Sequence, residues 1–423
     1  MVRAVDMSGS HRALLERLFM LGVSQCQPAT VLPPVLPKQA PAGRNIVLGA
    51  GKAAAEMAAV ASAHLPGRTE GLVVTRYGHG TGAPTGDIEV VEASHPVPDQ
   101  GSLRAAERLL KLAAAATADD RVLFMISGGG SALLSAPIEG VSPARKQDIT
   151  RFLLHSGAPI GDINCVRKHL SRIKGGGLAE AVHRAEQMTF AISDVVGDEL
   201  SDIASGPSIP FRRDAEAAIG ILEKYGYEDV ESVAEAMRAA EPINAPEHPA
   251  ILVATASTAL DAIAQELEDD AWTVVRLGDG IEGDATEVAR EHADVALRYS
   301  KEGGRYALVS GGELTVEVNN RDGRGGPNLE YLASLAIALD GAPGIEAIAC
   351  DSDGIDGSED NAGGYISSTS LARAAELDVD AAQKLASNDS YTLFEKLGDL
   401  IVTGPTRTNV NDIRVILIAP EKG

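Results

Sequence analysis

The sequence predicts an α/β fold in two domains, with a parallel sheet in the first. Two patterns predict it. Short apolar runs alternate with amphipathic helical stretches, as in buried parallel strands covered by helices on both faces. The chain has 423 residues, which at about 150 per domain is two or three domains. The run AEPINAPEHP (240–249) marks a boundary near 245, after which the pattern starts again. The expected domains are 1–244 and 245–423. Residues 1–44, a helix and a proline-rich arm, are counted with the first and able to pack on the second.

The elements follow in order. Residues 10–25 place Leu14, Leu15, Leu18 and Leu21 on one helical face, with Ser10 as cap. The proline-rich stretch 28–41 is an arm or linker. NIVLGAG (45–51) is a strand, and KAAAEMAAVASAHL (52–65) is the helix after it. Further strands are 71–78, 88–96, 121–130 and 188–198, with a helix at 102–116. A charged helical stretch, 214–240, leads to the boundary. The second half has strands at 251–258, 273–280, 306–318, 345–357, 399–404 and 413–420. Its glycine-rich turn, 323–326, opens the helix 328–339.

Composition excludes several function classes. The net charge is −23, a field that repels nucleic acid and anionic membrane surfaces. Aromatic residues are 4 %, with one tryptophan, so a base-stacking platform is excluded. Cys26, Cys165 and Cys350 are widely spaced, with no CxxC, which excludes a disulfide framework and fits a reducing cytoplasm. No spanning helix or signal peptide is expected, because the apolar runs are short and broken by proline or glycine.

Several motifs gather chemistry where strands end. GAGKAA (49–54) offers Gly49 and Gly51 in a tight turn before a helix, and reads as GxGxxA for a dinucleotide pyrophosphate. Lys52 inside it opposes the helix dipole, so it suits an anionic ligand. ISGGGSALL (126–134) offers Gly128, Gly129, Gly130 and Ser131 as a phosphate-wrapping loop. RKHLSRIKGGGLA (167–179) gathers Arg167, Lys168, His169, Arg172 and Lys174, a basic cluster suited to an anionic substrate or nucleotide phosphates. SDVVGDELSDIASGP (193–207) puts Asp194 at a strand end. Asp194, Asp198 and Asp202 share a face if that stretch is helical. A carboxylate there can deprotonate a hydroxyl or hold magnesium. SGGELTVEV (310–318) sets Glu313 after Gly311 and Gly312, and DSDGIDG (351–357) offers Asp351, Asp353 and Asp356, hard oxygen ligands for Mg²⁺. TGPTRTNVND (403–412) carries Arg407 and Asn409 within reach of a ligand. No Ser-His-Asp set is evident, and an unaccompanied histidine such as His95 reads as structural.

Together these motifs resemble the glycerate 2-kinase family, whose C-terminal part is the MOFRL domain. Members have often carried a provisional hydroxypyruvate reductase label. The resemblance runs in order from GAGKAA (49–54) to TGPTRTNVND (403–412), nearly the whole chain. It implies a Rossmann-like N-terminal domain, a smaller C-terminal domain with a mixed sheet, and an active site in the cleft between them. It also implies transfer of the ATP γ-phosphoryl group to the 2-hydroxyl of D-glycerate, with magnesium. The resemblance marks Lys52 as an active-site residue; reading the remaining motifs for phosphoryl transfer makes Lys52, Asp194 and Arg172 the catalytic candidates, with Ser131, Lys168, Arg407 and Asn409 expected to hold the acid. Gly49, Gly51, Gly128, Gly129, Gly130, Gly311 and Gly312 hold the nucleotide; Asp351, Asp353 and Glu313 hold the metal. The implied partners are a small hydroxy acid and ATP; a homodimer stays open.

Two positions depart from the family pattern. Pro327 stands where GGRN has arginine, and Arg407 where TGPTGTN has glycine. The acid is therefore less fixed than the reaction class. The rival reading is an NAD(P)H-dependent hydroxypyruvate reductase built on GAGKAA, with Arg76 near a 2′-phosphate.

Overall fold

A computed structural model describes residues 11–420. Strands β1 (Asn45–Ala50), β2 (Thr69–Arg76), β3 (Asp87–Ala93), β4 (Arg121–Ile126), β5 (Glu186–Ile192) and β6 (Ala250–Ala254) form one sheet, in the order β3-β2-β1-β4-β5-β6. The pairings from β3 through to β5 are parallel. Residues of β1 and β4 are buried throughout, the signature of strands covered on both faces. Strands β7 (Thr273–Asp284), β8 (Tyr306–Thr315), β9 (Ile345–Asp351), β10 (Gly363–Ile366), β11 (Leu400–Ile401) and β12 (Asp412–Ile418) form a second sheet, β11-β10-β9-β12-β8-β7. There β7 and β8 are parallel and the remaining pairs antiparallel, so the sheet is mixed.

The chain divides into two compact units, 28–253 and, described from 11, 1–27 with 254–423. A single boundary near 245 does not capture this. The proline-rich stretch is bound to the first sheet: Pro249 O accepts the Thr189 N–H at 2.8 Å, and His248 Nε2 lies 2.8 Å from Thr189 Oγ1. The strand expected to open the second half, β6, is thereby an edge of the first sheet. The helix Arg12–Gln25 packs on the helix Ala256–Asp269 and on β9 and β12. Gly22 permits that approach, since a Cβ there would lie 2.9 Å from Ile263 Cδ1. The expected cap, Ser10, lies outside the described residues.

Within unit 28–253, one apolar core lies on the sheet, with Leu48, Val74, Phe124 and Ile126 against the helix Gln100–Ala114. A second core is built mainly on helices. It joins Ile149 and Leu153 of the helix Pro143–His155 to Ile163 and Val166 of the helix Ile160–His169 and to Leu222 and Met237. The stretch 214–240 is two helices, Ala215–Lys224 and Glu231–Ala239. The break contains Gly226 at φ 79°, a left-handed conformation that glycine adopts freely. In the other unit the core lies between the second sheet and the helices Ala285–Ser300 and Pro327–Leu339.

Candidate active site

The motifs of unit 28–253 meet at the carboxyl edge of the first sheet, where open parallel sheets carry their sites. Gly49 lies inside β1, paired with Val73 and Met125, and a Cβ on it would lie 2.2 Å from Met125 O. Gly51 has φ +141°, and a Cβ there would lie 2.0 Å from Ser127 Oγ. The N–H groups of this turn are spent on protein. Gly51 donates to Val74 O at 3.0 Å, Lys52 to Gly128 O at 2.8 Å, and Ala53 to Ser127 Oγ at 3.0 Å. Gly49 and Gly51 therefore do not cradle a pyrophosphate as expected; they bring the β1 turn against the β4 turn.

The β4 turn is different. Gly128 is buried, and the N–H groups of Gly128 and Gly129 have no hydrogen-bond partner among the described residues. Gly129 has φ +78°, and a Cβ on it would meet His95 Cδ2 at 3.2 Å, His95 Nε2 at 3.3 Å and Lys52 Cγ at 3.3 Å. The lysine stem, the imidazole and the glycine turn thus share one spot. Gly130 is pressed against the 203–206 loop, where a Cβ would lie 2.6 Å from the Ala204 methyl. Ala204 (φ 53°) and Ser205 (φ 61°) are both left-handed, which costs roughly 1–2 kcal/mol per residue. Such strain concentrates at functional loops.

Ser131 closes the turn. Its Oγ lies 2.8 Å from Ser205 Oγ, and Lys174 Nζ donates to Ser131 O at 2.6 Å and Oγ at 3.0 Å. Lys174 is buried, and burial, reinforced by Lys146, Arg167 and Lys168, holds its pKa well below that of an ordinary lysine. Gly175 and Gly176 donate to Ser205 O and Gly206 O, docking one glycine run on the other loop. Lys168, also buried, donates to Asp202 Oδ1 at 2.9 Å and lies over Phe211. Arg172 does not join this group. Its guanidinium is bound to Glu107 and to Pro137 O on a half-exposed surface, so its expected catalytic role lacks support. Asp194 follows β5 and is half-buried. The segment after it is not helical and Asp198 is left-handed, so Asp194, Asp198 and Asp202 share no helix face.

In the other unit the acids are mostly structural. Asp353, 1 % exposed, accepts the Ile355 N–H at 2.8 Å, while half-buried Asp351 accepts the Asp353 N–H at 2.8 Å. Asp356 accepts the N–H groups of Asn328 and Leu329, each at 3.0 Å, and so caps the helix Pro327–Leu339. Burial raises its pKa to about 7. Glu313 is an exposed strand residue opposite Glu282. Among the described residues no three His, Cys, Asp or Glu side chains are grouped to hold a metal. The set Asp351, Asp353 and Glu313 is therefore not a preformed centre. Gly311 and Gly312 are strand residues as well, their carbonyls accepting from the buried Arg414, and not a nucleotide loop. Asn409 is buried and accepts the Asn411 N–H, whereas Arg407 is exposed at φ 66°.

Sequence reasoning read His95 as structural and passed over Ser127 and Lys146. Ser127 follows an apolar strand and precedes three glycines, a visible signal. His95 gives none, because only the fold brings it to Gly129. Lys146 stands three and seven residues before Ile149 and Leu153, on the apolar face of its helix, and that position is the signal.

Comparison with known proteins supplies the rest. A family described as a domain of unknown function, DUF4147, matches residues 14–239, and the MOFRL family matches 306–412. A protein of Agrobacterium vitis, provisionally named a hydroxypyruvate reductase, is 46 % identical over 97 % of this chain and 95 % of its own. The D-glycerate 2-kinase of Thermotoga maritima is 39 % identical over 89 % of this chain and 91 % of its own. The solved structure of a glycerate kinase from the same organism aligns with a TM-score of 0.86 at 36 % identity, covering 96 % of this chain and 99 % of that one.

Proposed function

The chain belongs to the glycerate 2-kinase family that carries the MOFRL domain, and from that premise we propose that it transfers the γ-phosphoryl group of ATP to the 2-hydroxyl of D-glycerate or a closely related hydroxy acid. The observation that carries this reading is the convergence of Lys52, His95 and the Gly128–Gly129 turn at one sheet edge. Phosphoryl transfer needs positioned donors and cations more than covalent chemistry. Lys52 supplies a charge on a short reach beside the turn. The N–H groups of Gly128 and Gly129 donate to phosphoryl oxygens. Asp194, at the end of β5, orients the acceptor hydroxyl and takes its proton.

The oxygen donors at 351–356 suit Mg²⁺ in kind. With no preformed cage among the described residues, half-buried Asp351 is the residue that would hold it. When bound, the ion supplies charge neutralisation across the phosphates. The partners are the nucleotide and the acid; no helix among the described residues is long and apolar enough to cross a membrane. Three free thiols support a cytoplasmic location.

The reductase reading loses its structural basis in the β1 turn, whose N–H groups are already bonded. One pair of assays tests both readings. Purified protein should consume ATP with D-glycerate and yield the 2-phosphate. Oxidation of NAD(P)H by hydroxypyruvate, with no ATP consumption, would reverse the conclusion.

A further inference from the structure

The helix Pro143–His155 carries one lysine inward. Lys146 is 6 % exposed, on the same face as Ile149 and Leu153, and its buried Nζ has no hydrogen-bond partner among the described residues. A buried ammonium without acceptors is costly and calls for a compensating group. The charges that act on it belong to Arg167 and Arg172, and Lys146 in turn acts on Lys174. All are cations. Among the described residues no carboxylate acts appreciably on Lys146 or Lys174. The nearby acids are committed elsewhere, Asp202 to Lys168 and Glu107 to Arg172. Arg167 is partly buried, and burial lowers its pKa with no opposing acid. Lys174, finally, holds Ser131 at the end of the glycine turn.

Like charges buried together without a counter-ion destabilise a fold unless a ligand neutralises them. We infer that Lys146, Arg167 and Lys174, with Ser131 beside them, form an anion pocket for a phosphate-type dianion. The charge count selects that class. Two buried ammonium groups and a guanidinium match a dianion, whereas a monocarboxylate leaves more than one of them uncompensated. The dianion has two sources, inorganic phosphate or the phosphate ester of the hydroxy acid; only the second rests on the kinase reading.

The test is calorimetric titration of the full chain, without nucleotide, using inorganic phosphate, D-2-phosphoglycerate and D-glycerate. Saturable binding of phosphate or the ester is expected. Lys146→Met should weaken it by at least about tenfold, and Lys146→Arg should hold it within about threefold, as expected for a charge-assisted hydrogen bond. Arg167→Gln, at a less buried position, should also weaken binding and serves if Lys146→Met does not fold. Equal loss for phosphate and the ester identifies phosphate itself as sufficient. Loss confined to the ester identifies the phosphorylated acid. Three results overturn the pocket: no binding of either dianion, unchanged binding in folded Lys146→Met or Arg167→Gln, or dependence on these residues for D-glycerate alone. A protein that phosphorylates glycerate yet shows one of these results refutes the pocket and leaves the kinase reading intact. Dianion binding in a protein without kinase activity does the reverse.

Discussion

Lys52 is anchored through its main chain. Its N–H is bonded to Gly128 O, and its Cγ stands beside Gly129. Removing the charge should spare the fold and damage the chemistry. Lys52→Met is expected to lower kcat by about 10²-fold or more, with an unchanged circular dichroism spectrum; near-normal turnover would remove Lys52 from the mechanism. Lys146 gives a different signature. Burial, with Arg167 and Arg172, lowers its pKa to about 7 in the folded protein, against roughly 10.4 unfolded. Between those values the unfolded chain binds more protons, so this lysine's penalty is full below pH 7 and fades as pH rises toward 10.4. In phosphate-free buffer the Tm of the wild type should therefore gain on that of Lys146→Met across this window. Parallel curves would mean that Lys146 titrates normally. Such behaviour was partly legible beforehand. A lysine on an apolar helical face is a visible anomaly, but the cations around it come from another helix and a loop that only the fold assembles.

At the scale of the element, two turns of the second unit play different parts. The 351–357 turn looks like a metal loop in sequence, since acid spacing is all that sequence displays. In three dimensions Asp356 is a helix cap and Asp353 an internal turn bond. Asp356→Ala should cost about 3 kcal/mol, the sum of a lost cap and a buried unsatisfied N–H. Denaturant titration measures this, and a midpoint equal to wild type would contradict the capping role. On the proposed reading Asp351 is the residue that would hold the metal, so activity should vanish in EDTA and return with Mg²⁺, and Asp351→Asn should raise the Mg²⁺ requirement. Full activity in metal-free buffer would exclude the assignment. The 403–412 loop holds Arg407 at φ 66°, where glycine is at ease. The arginine pays that strain in an exposed place, which favours a ligand-directed task. We expect Arg407→Gly to leave Tm nearly unchanged and to raise KM for the acid by about tenfold, the loss of one charged hydrogen bond. Adding Pro327→Arg should restore part of it. Unaltered KM for every accepted acid would end the idea that Arg407 replaces the arginine missing at 327.

For the molecule as a whole, local patterns carried most of the architecture. The strands β1, β4, β9 and β12 are apolar runs bounded by glycine or charge, and each was legible. β10 was not, being four residues with two glycines. The division into units was legible only in part. Prolines at 240–249 mark a change of direction, but the bonds from Thr189 that bind this stretch to the first sheet join residues far apart in sequence. The helix Arg12–Gln25 is equally silent about its destination, since an amphipathic stripe says that something must cover it and not what.

That destination has a consequence for synthesis. The helix Arg12–Gln25 leaves the ribosome before any part of unit 28–253, yet its packing surface is made by 256–269, β9 and β12. β12 lies between β9 and β8 in the sheet although it follows both in the chain. While the intervening unit emerges and folds, the early helix keeps Leu15, Leu18 and Phe19 uncovered, residues that are fully buried at the end. The nascent protein therefore carries an adhesive apolar stripe for most of its translation, a natural client surface for a chaperone.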